Sequence, residues 1–450
     1  MKPNPMHPDT IFAPATAPGR AGVAIVRISG PAADAALSAL TAGAPLAAPR
    51  RAARVKVVDA DGEPVDDGLA LRFPAPASFT GEDVVELHLH GSRAVLEAVM
   101  GLLAAQEGLR VAEPGEFTRR AFENGKMDLT QAEALADLID AETAAQRRQA
   151  LRQMDGALAR LIEDWRTRLV KALGHFEAFI DFPDEDLPPE AQAAIWGAVE
   201  ALIAEMTAHL NDGRRGERLR DGFHIAIIGP PNAGKSSLLN ALARREAAIV
   251  SDIAGTTRDV VDVHLDLGGY AVVLADTAGL REAAEAIESE GIRRARARAE
   301  QADLRLAVFD GAAWPDLDAH TLSLVDDSAL VVVNKADLAA VPEAPTVAGR
   351  PALGLSVKTG QGMDRLLARL TEEVGARLAG GTGAPALTRE RHRRALAECV
   401  EALTQARAAA LPELAGEDLR MAARALGRIT GRVEVDELLD VIFRDFCIGK

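Results

Sequence analysis

The sequence predicts a multidomain chain: an α+β domain at the N-terminus, an all-α helical domain after it, and an α/β domain inserted into the helical one. Three observations carry that expectation. A glycine-bounded loop, Gly229-Pro-Pro-Asn-Ala-Gly-Lys-Ser236, stands between the apolar run Phe223–Ile228 and a stretch of helical apolar spacing, Ser237–Ala243. Short alternating apolar runs are confined to the chain before about residue 125. Helical spacing occurs on both sides of the middle block, the pattern left when one domain interrupts another.

Each block follows from its residues. Val23–Ile28, Ala53–Val58, Leu69–Phe73 and Val84–Leu89 read as strands. Residues 91–105 read as a helix, and Pro18–Gly22 and Pro114–Thr118 as punctuating turns, which bounds a first α+β domain at 1–125. Leu129, Ala132, Leu135, Leu138 and Ile139, then Leu158, Leu161, Ile162, Trp165, Leu169, Leu173, Phe176 and Phe179, recur at helical spacing. The acidic, proline-rich Asp181–Pro189 reads as a helix stop and N-cap, and a further helix runs over 190–210, so 126–218 is the first part of the helical domain. The inserted α/β domain takes 219–378. Beyond the linker Gly380–Pro385, helical spacing returns at Leu396, Val400 and Leu403, at Leu419, Ala422, Leu426 and Ile429, and at Leu438, Leu439, Ile442 and Phe443, so 379–450 is the second part.

Composition bounds the function. A chain of 450 residues calls for about three domains. No apolar run approaches the roughly 20 residues that span a bilayer, and Met1–Pro8 lacks the apolar centre of a signal peptide. Two cysteines, Cys399 and Cys447, are too few for a disulfide framework, so a reducing cytoplasm is expected. The formal net charge of −16 argues against nucleic-acid binding by the whole surface, so such a partner requires a local basic patch or a second protein.

The inserted domain carries the chemistry. Strand, glycine-bounded loop and helix in that order make a P-loop of Asn232, Ala233, Gly234, Lys235, Ser236 and Ser237. Gly229 and Gly234 keep side chains away, so that backbone N–H groups can turn inward around phosphate oxygens, helped by the helix N-terminus. Lys235 can reach the β- and γ-phosphates, and the Ser236 hydroxyl can ligate Mg²⁺. After the apolar run Val272–Ala275 comes Asp276-Thr277-Ala278-Gly279, with a carboxylate on the Mg²⁺ side and an N–H for the γ-phosphate. After Leu330–Val333 comes Asn334-Lys335-Ala336-Asp337. A carboxylate at Asp337 can accept from the ring N–H and the exocyclic amine of guanine; adenine offers neither, which would leave a buried Asp337 unpaired. Ser356-Val357-Lys358 falls where a last base-contacting loop is expected. Four such pieces specify a guanine-nucleotide-binding domain. Many GTPases carry a glutamine after the glycine equivalent to Gly279. Leu280 stands here, so the group that orients water must lie elsewhere, and no arginine is obviously placed to cover the phosphates.

This P-loop domain, Gly19-Arg-Ala-Gly22, Ser78-Phe-Thr-Gly-Glu-Asp83, Pro114-Gly-Glu-Phe117 and the terminal Phe446-Cys-Ile-Gly-Lys450 together resemble the bacterial tRNA modification GTPase family MnmE, or TrmE, over nearly the whole chain. The resemblance implies a folate-binding, dimerising N-terminal domain and a helical domain with an inserted Ras-like G domain. It also implies a cytoplasmic homodimer that joins the FAD-containing partner MnmG in a heterotetramer. The activity implied is K⁺-dependent GTP hydrolysis coupled to modification of the tRNA wobble uridine at C5, giving an aminomethyl or carboxymethylaminomethyl group with a tetrahydrofolate one-carbon unit.

The same resemblance implies site residues. Ile287-Glu-Ser-Glu-Gly-Ile292 matches the family's water-orienting segment, with the register on Glu288; Glu290, Glu282 and Glu285 lie close. Asn232 and the loop Ser251-Asp252-Ile253-Ala254-Gly255-Thr256-Thr257 match the nucleotide and cation site. There K⁺ falls to Asn232, Ser251, Ile253 and Thr256, and a second hydroxyl on Mg²⁺ to Thr257. Arg27, Glu86, Lys126 and Lys450 match the positions for 5-formyltetrahydrofolate. Cations suit its carboxylates, and a carboxylate suits the amine and N–H of its pterin.

Some features stay open. His88 and His90 share a strand face and lack a third metal ligand, so packing or hydrogen bonding is expected of them. Cys447 reads equally as a reactive or an inert thiol. The basic stretches Arg293–Arg298 and Arg389–Arg394 suit either tRNA phosphates or a solvated helix face. As whole functions, a GTP-regulated RNA or ribosome assembly factor and a GTP-regulated one-carbon transferase remain rivals.

Overall fold

The computed structural model describes residues 8–46, 48–181, 189–245, 262–276, 302–338, 341–342, 345–379 and 386–433, with positions 439, 442, 443, 446 and 449 of the tail. The chain divides into two compact units. The first comprises Met1–Ala136, Met154–Val170 and Arg420–Lys450, and the second Asp137–Gln153 and Lys171–Leu419.

In the first unit, alternation of apolar side chains builds a six-stranded sheet. Its strands are β1 (Thr10–Pro14), β2 (Ala21–Ser29), β3 (Ala53–Val58), β4 (Pro64–Phe73), β5 (Val84–Gly91) and β6 (Leu109–Val111), in the order β3-β4-β5-β2-β1-β6. All pairs are antiparallel except β1–β6. Helices α1 (Ala33–Leu40) and α2 (Arg93–Ala104) cover one face, where Val26, Ile28, Val85, Leu87 and Leu89 meet Leu37, Leu40, Val99 and Leu103. Ser92 caps α2 by accepting from the Val95 N–H at 3.2 Å. Because strand side chains alternate, Arg27, Glu86 and His88 take the opposite face. There Phe117 of α3 (Glu116–Glu123) and Phe79 pack on Ile11 and Ala13.

The strands read from sequence are present. β1 and α1 are not in that reading, because elements of five and eight residues are too short to build up a periodic pattern. The Pro114–Thr118 segment, expected to be a turn, already enters α3 at Glu116.

The helices that come next are α4 (Leu129–Ile139), α5 (Ala144–Met154), α6 (Ala157–Asp181), α7 (Pro189–Leu210) and α8 (Arg215–Asp221). In the tail of the first unit, Leu439, Phe443 and Phe446 pack on Leu129 and Ala132.

The second unit holds a seven-stranded sheet of β7 (Phe223–Ile228), β8 (Asp262–Leu267), β9 (Tyr270–Asp276), β10 (Leu304–Asp310), β11 (Ala329–Asn334), β12 (Thr346–Val347) and β13 (Arg350–Gly354), in the order β12-β13-β11-β10-β7-β9-β8. The five inner strands are parallel, and β8 and β12 are antiparallel edges. Strands covered on both faces read as unbroken apolar runs, and every residue of β11 is buried. Leu238 and Leu242 of α9 (Lys235–Arg245) and Leu366, Leu370 and Val374 of α11 (Met363–Ala379) pack on one face. Trp314 and Leu322, the latter in the short α10 (Ala319–Leu322), pack on the other.

Helices α12 (Glu390–Ala408) and α13 (Pro412–Thr430) complete the described elements. The basic stretch that opens α12 fits neither sequence expectation. Arg389 pairs with Asp137 at 2.7 Å, Arg393 with Asp212 and Glu217 at 2.8 Å each, and Arg394 with Glu398 at 3.1 Å, while His392 is buried. Most of this charge holds the unit's own carboxylates. Cys399 is buried against the Met206 sulfur at 3.7 Å, and burial pushes its thiol up to about 12, which makes it an inert core residue.

Candidate functional site

In an open parallel sheet, ligands gather at the carboxyl ends of the strands. The predicted nucleotide residues do so here. The P-loop leaves β7, Asp276 ends β9 in register with Ile227, and Asn334 ends β11 in register with Asp310. Gly229 has φ 153 and a Cβ there would collide with the Val308 carbonyl oxygen; Gly234 has φ 92 and a Cβ there would collide with the Asn334 amide. Only glycine fits such approaches. Asn232 sits exposed at the loop's tip with φ 62.

Asn334 joins the pieces. Its Nδ2 donates to the Ala233 carbonyl oxygen at 2.9 Å, and its Oδ1 accepts from the Val357 N–H at 3.2 Å. One buried amide thus ties the phosphate loop to the Ser356–Lys358 loop. The Ala336 N–H donates to the Leu355 carbonyl oxygen at 3.0 Å, and the buried Ser356 hydroxyl accepts from the Thr359 N–H at 3.2 Å, which sets the base loops side by side. Lys335 donates to Asp310 at 2.6 Å. Burial pushes the Asp310 carboxyl up, but Lys335 and the Ala312 N–H outweigh it and hold the group below its ordinary value.

Lys235 is buried, and its Nζ donates to the carbonyl oxygens of Gly229 at 3.0 Å and Pro230 at 2.8 Å. This ammonium already sits within the phosphate loop. Ser236, Ser237 and Lys358 are exposed. So is Asp337, contrary to the buried carboxylate expected from sequence: the turn after β11 presents it outward. A carboxylate here becomes desolvated only under a bound base. Asp337→Asn is expected to weaken GTP binding by about 10- to 100-fold, the worth of a charged hydrogen-bonded contact. It should also shift preference toward xanthine nucleotides. An equilibrium titration with unchanged GTP affinity would sink the base-reading role.

On the open face of the first unit's sheet, Arg27 and Glu86 are directly opposed across β2 and β5. Arg27 Nε and Nη2 both stand 3.0 Å from Glu86 Oε1, and the guanidinium lies 5.4 Å from the Phe79 ring centre and 5.7 Å from that of Phe117. Lys126 donates to the Pro76 carbonyl oxygen at 2.8 Å, in the same 74–83 segment that carries Phe79. Gly449 packs against Pro14 at the end of β1, one strand from Arg27. The two cations and the carboxylate therefore surround one sheet face and its covering segment.

Beside that face lies an ionic cluster that sequence reasoning missed. The Arg120 guanidinium, 1% exposed, donates to Glu82 Oε1 at 3.2 Å, Glu116 Oε1 at 2.9 Å, and the Asp9 backbone oxygen and Oδ1 at 3.1 and 2.9 Å. Ser29 donates to Glu82 at 2.6 Å, and Arg110 forks onto Glu116 at 2.8 and 2.5 Å. Burial raises the Glu116 carboxyl, but Arg110, the Glu113 N–H and Arg120 together hold it below its ordinary value. Glu82 lies in the Ser78–Asp83 motif and Glu116 in the Pro114–Phe117 motif. The signal available was an acidic residue in each motif with arginines nearby, but nothing local pairs them.

The loop Ser251–Thr257, the segment Thr277–Gly279, Glu288 with its neighbouring glutamates, Arg293–Arg298, Cys447 and Lys450 lie outside the described residues, as does the side chain of Asp276. Among the described residues no group of three His, Cys, Asp or Glu is placed to hold a metal ion, and no helix is long and apolar enough to cross a membrane.

Comparison with known proteins matches this division. A family described as the MnmE helical domain matches residues 129–447, and one described as the GTP-binding protein TrmE N-terminus matches residues 10–126. The tRNA modification GTPase MnmE of Paramagnetospirillum magneticum is 62% identical over 442 residues, covering 98% of this chain and 100% of that protein. The protein of the same name from Rhodospirillum rubrum is 59% identical over 458 residues, covering 99% of this chain and 100% of its own. Among solved structures, the G domain of T. maritima FeoB is 22% identical and covers 34% of this chain and 98% of that one, with a TM-score of 0.25.

Proposed function

The chain belongs to the MnmE family of tRNA modification GTPases, and from that premise we propose that K⁺-dependent GTP hydrolysis in its inserted domain drives modification of the tRNA wobble uridine at C5. The observation that carries the nucleotide side is Asn334, whose one amide holds the phosphate loop and the base loop together. The work is done with MnmG, in the cytoplasm, by a homodimer joined through the N-terminal domain. The domain limits are those read from sequence: 1–125, 126–218 with 379–450, and 219–378.

The chain's own residues divide the task. Backbone N–H groups of Asn232–Ser237 hold the phosphates, Lys235 lies against them, and Gly279 takes the γ-phosphate. Asn334–Asp337 and Ser356–Lys358 read the base. Ser236 and Thr257 would hold Mg²⁺, and Asn232, Ser251, Ile253 and Thr256 would hold K⁺, all through oxygen, which suits hard cations. Of these, Ser236 and Asn232 stand exposed at the mouth of the phosphate loop. Bound there, the cations neutralise charge developing between the β- and γ-phosphates. Glu288 orients the attacking water in place of the glutamine that Leu280 replaces.

The Arg27–Glu86 face is the seat of 5-formyltetrahydrofolate, with Lys126 and Lys450 toward its carboxylates. Two phenyl rings beside a charge-paired carboxylate fit a flat heterocycle with N–H donors. Deleting Lys450 is expected to weaken 5-formyltetrahydrofolate binding about tenfold, one charge-assisted contact; equal affinity by calorimetry would remove Lys450 from the set. For the whole function, wobble-uridine modification in tRNA from a strain lacking this protein is the decisive measurement. Loss of C5 modification supports the proposal, whereas intact modification with defective ribosomal particles would favour an assembly factor.

A further inference from the structure

The open face of the first unit's sheet carries one polar group that neither the fold nor the proposed site uses. His88 lies two residues beyond Glu86 on β5, so both project from the same face. Strand register makes two adjacent rows, Arg27–Glu86–Leu71 and Ile25–His88–Leu69. Arg27 takes Glu86 at Oε1, and the other carboxylate oxygen, Oε2, faces His88 Nε2 at 3.8 Å, beyond hydrogen-bond range. That nitrogen is shut off from solvent and has no hydrogen-bond partner. Buried polar groups of this kind are rare and call for an explanation. The neighbouring His90 differs: its Nδ1 lies 2.7 Å from Asp66 and its side chain is largely exposed. Around His88 the face is apolar, and Leu69 and Val23 remain 43% and 55% exposed.

A carboxylate oxygen and an unsatisfied ring nitrogen, side by side between apolar side chains, complement one kind of edge: adjacent N–H and C=O groups of a flat ring. We propose that His88 donates from Nε2 to the ring carbonyl of a bound 2-amino-4-oxo heterocycle, while Glu86 accepts from its ring N–H and amine. The inference rests on the folate reading of this face and adds a specificity element to it. A 4-amino analogue presents a donor where His88 donates, which costs it the contact. His88 thereby favours the oxo ring.

Binding of 5-formyltetrahydrofolate and of a 4-amino folate analogue to the full-length protein, followed by calorimetry, tests this. His88→Leu is expected to lose about tenfold in affinity for the oxo ligand and little for the amino analogue, so that the preference between them collapses. His88→Gln, whose amide can donate, should restore much of both affinity and preference. Equal losses for the two ligands, or an unchanged preference in His88→Leu while Glu86→Gln loses binding, would overturn the role of His88 and leave the folate site standing. If the parent protein binds neither ligand, or Glu86→Gln binds as the parent does, the folate reading itself fails and the proposal falls with it.

Discussion

Turnover of GTP by the Glu288→Ala protein is expected to fall by about two to four decades, the usual span for a positioned acid–base group. Nucleotide affinity should stay near that of the parent, because the residue acts on the attacking water and not on ground-state GTP. Leu280, directly after Gly279, can neither donate to water nor accept from it, so the group must come from further along the chain. Glu290 is the internal control, and a loss at Glu290→Ala with none at Glu288→Ala would shift the register by two residues. The same reasoning extends to the cation. With no arginine obviously placed to cover the phosphates, hydrolysis should be fast in K⁺ and slow in Na⁺ at equal ionic strength, which holds screening constant. The smaller ion would draw the Ser251–Thr257 loop into poorer geometry. Asn232→Ala should lose the K⁺ advantage specifically. Equal rates in both salts would favour an arginine supplied by a partner.

Replacing Arg120 by alanine is expected to destabilise the first unit by about 3–5 kcal/mol, the cost of leaving buried carboxylates without their cation. Glu82, 1% exposed, would keep Ser29 but lose its guanidinium, and Glu116 would lose one of its two. Arg120→Lys should restore little, because a point charge cannot fork across Asp9, Glu82 and Glu116 together. Denaturant unfolding measures this, and a midpoint close to that of the parent would mean that the cluster contributes no net stability.

The cluster also sets a pH dependence. Asp9 and Glu116 are both held below their ordinary values; burial raises each, and the facing arginines outweigh it. A carboxyl depressed in the folded state adds stability that is complete above the ordinary carboxylate range and is lost as pH falls through its folded value. The parent should therefore weaken toward acid more steeply than Arg120→Ala does.

The nucleotide constellation was legible in sequence because each piece is local. A P-loop needs a strand, two glycines and a helix start within a few residues, and the Asn334–Asp337 and Ser356–Lys358 loops come directly after strands β11 and β13. Backbone geometry alone demands those residue types. Asp337 shows the limit, since the sequence names the carboxylate and the turn decides that it faces outward. The basic start of α12 shows it again: four arginines in six residues suggest a charged surface, and only packing reveals that Arg389 and Arg393 hold carboxylates far away in the chain.

By itself, the sequence determined the guanine-nucleotide domain, the α+β start and the helical flanks, since local periodicity and turn chemistry suffice for those. The tertiary structure alone decided which distant groups meet. Asn334 reaches the phosphate loop across 101 residues, Arg27 finds Glu86 across 59, and Arg120 finds Asp9 across 111. It also decided that His88 faces Glu86 without a hydrogen bond. Strand order and register set those pairings, and both are chosen by the whole buried face of a sheet, a quantity that no short stretch of sequence contains.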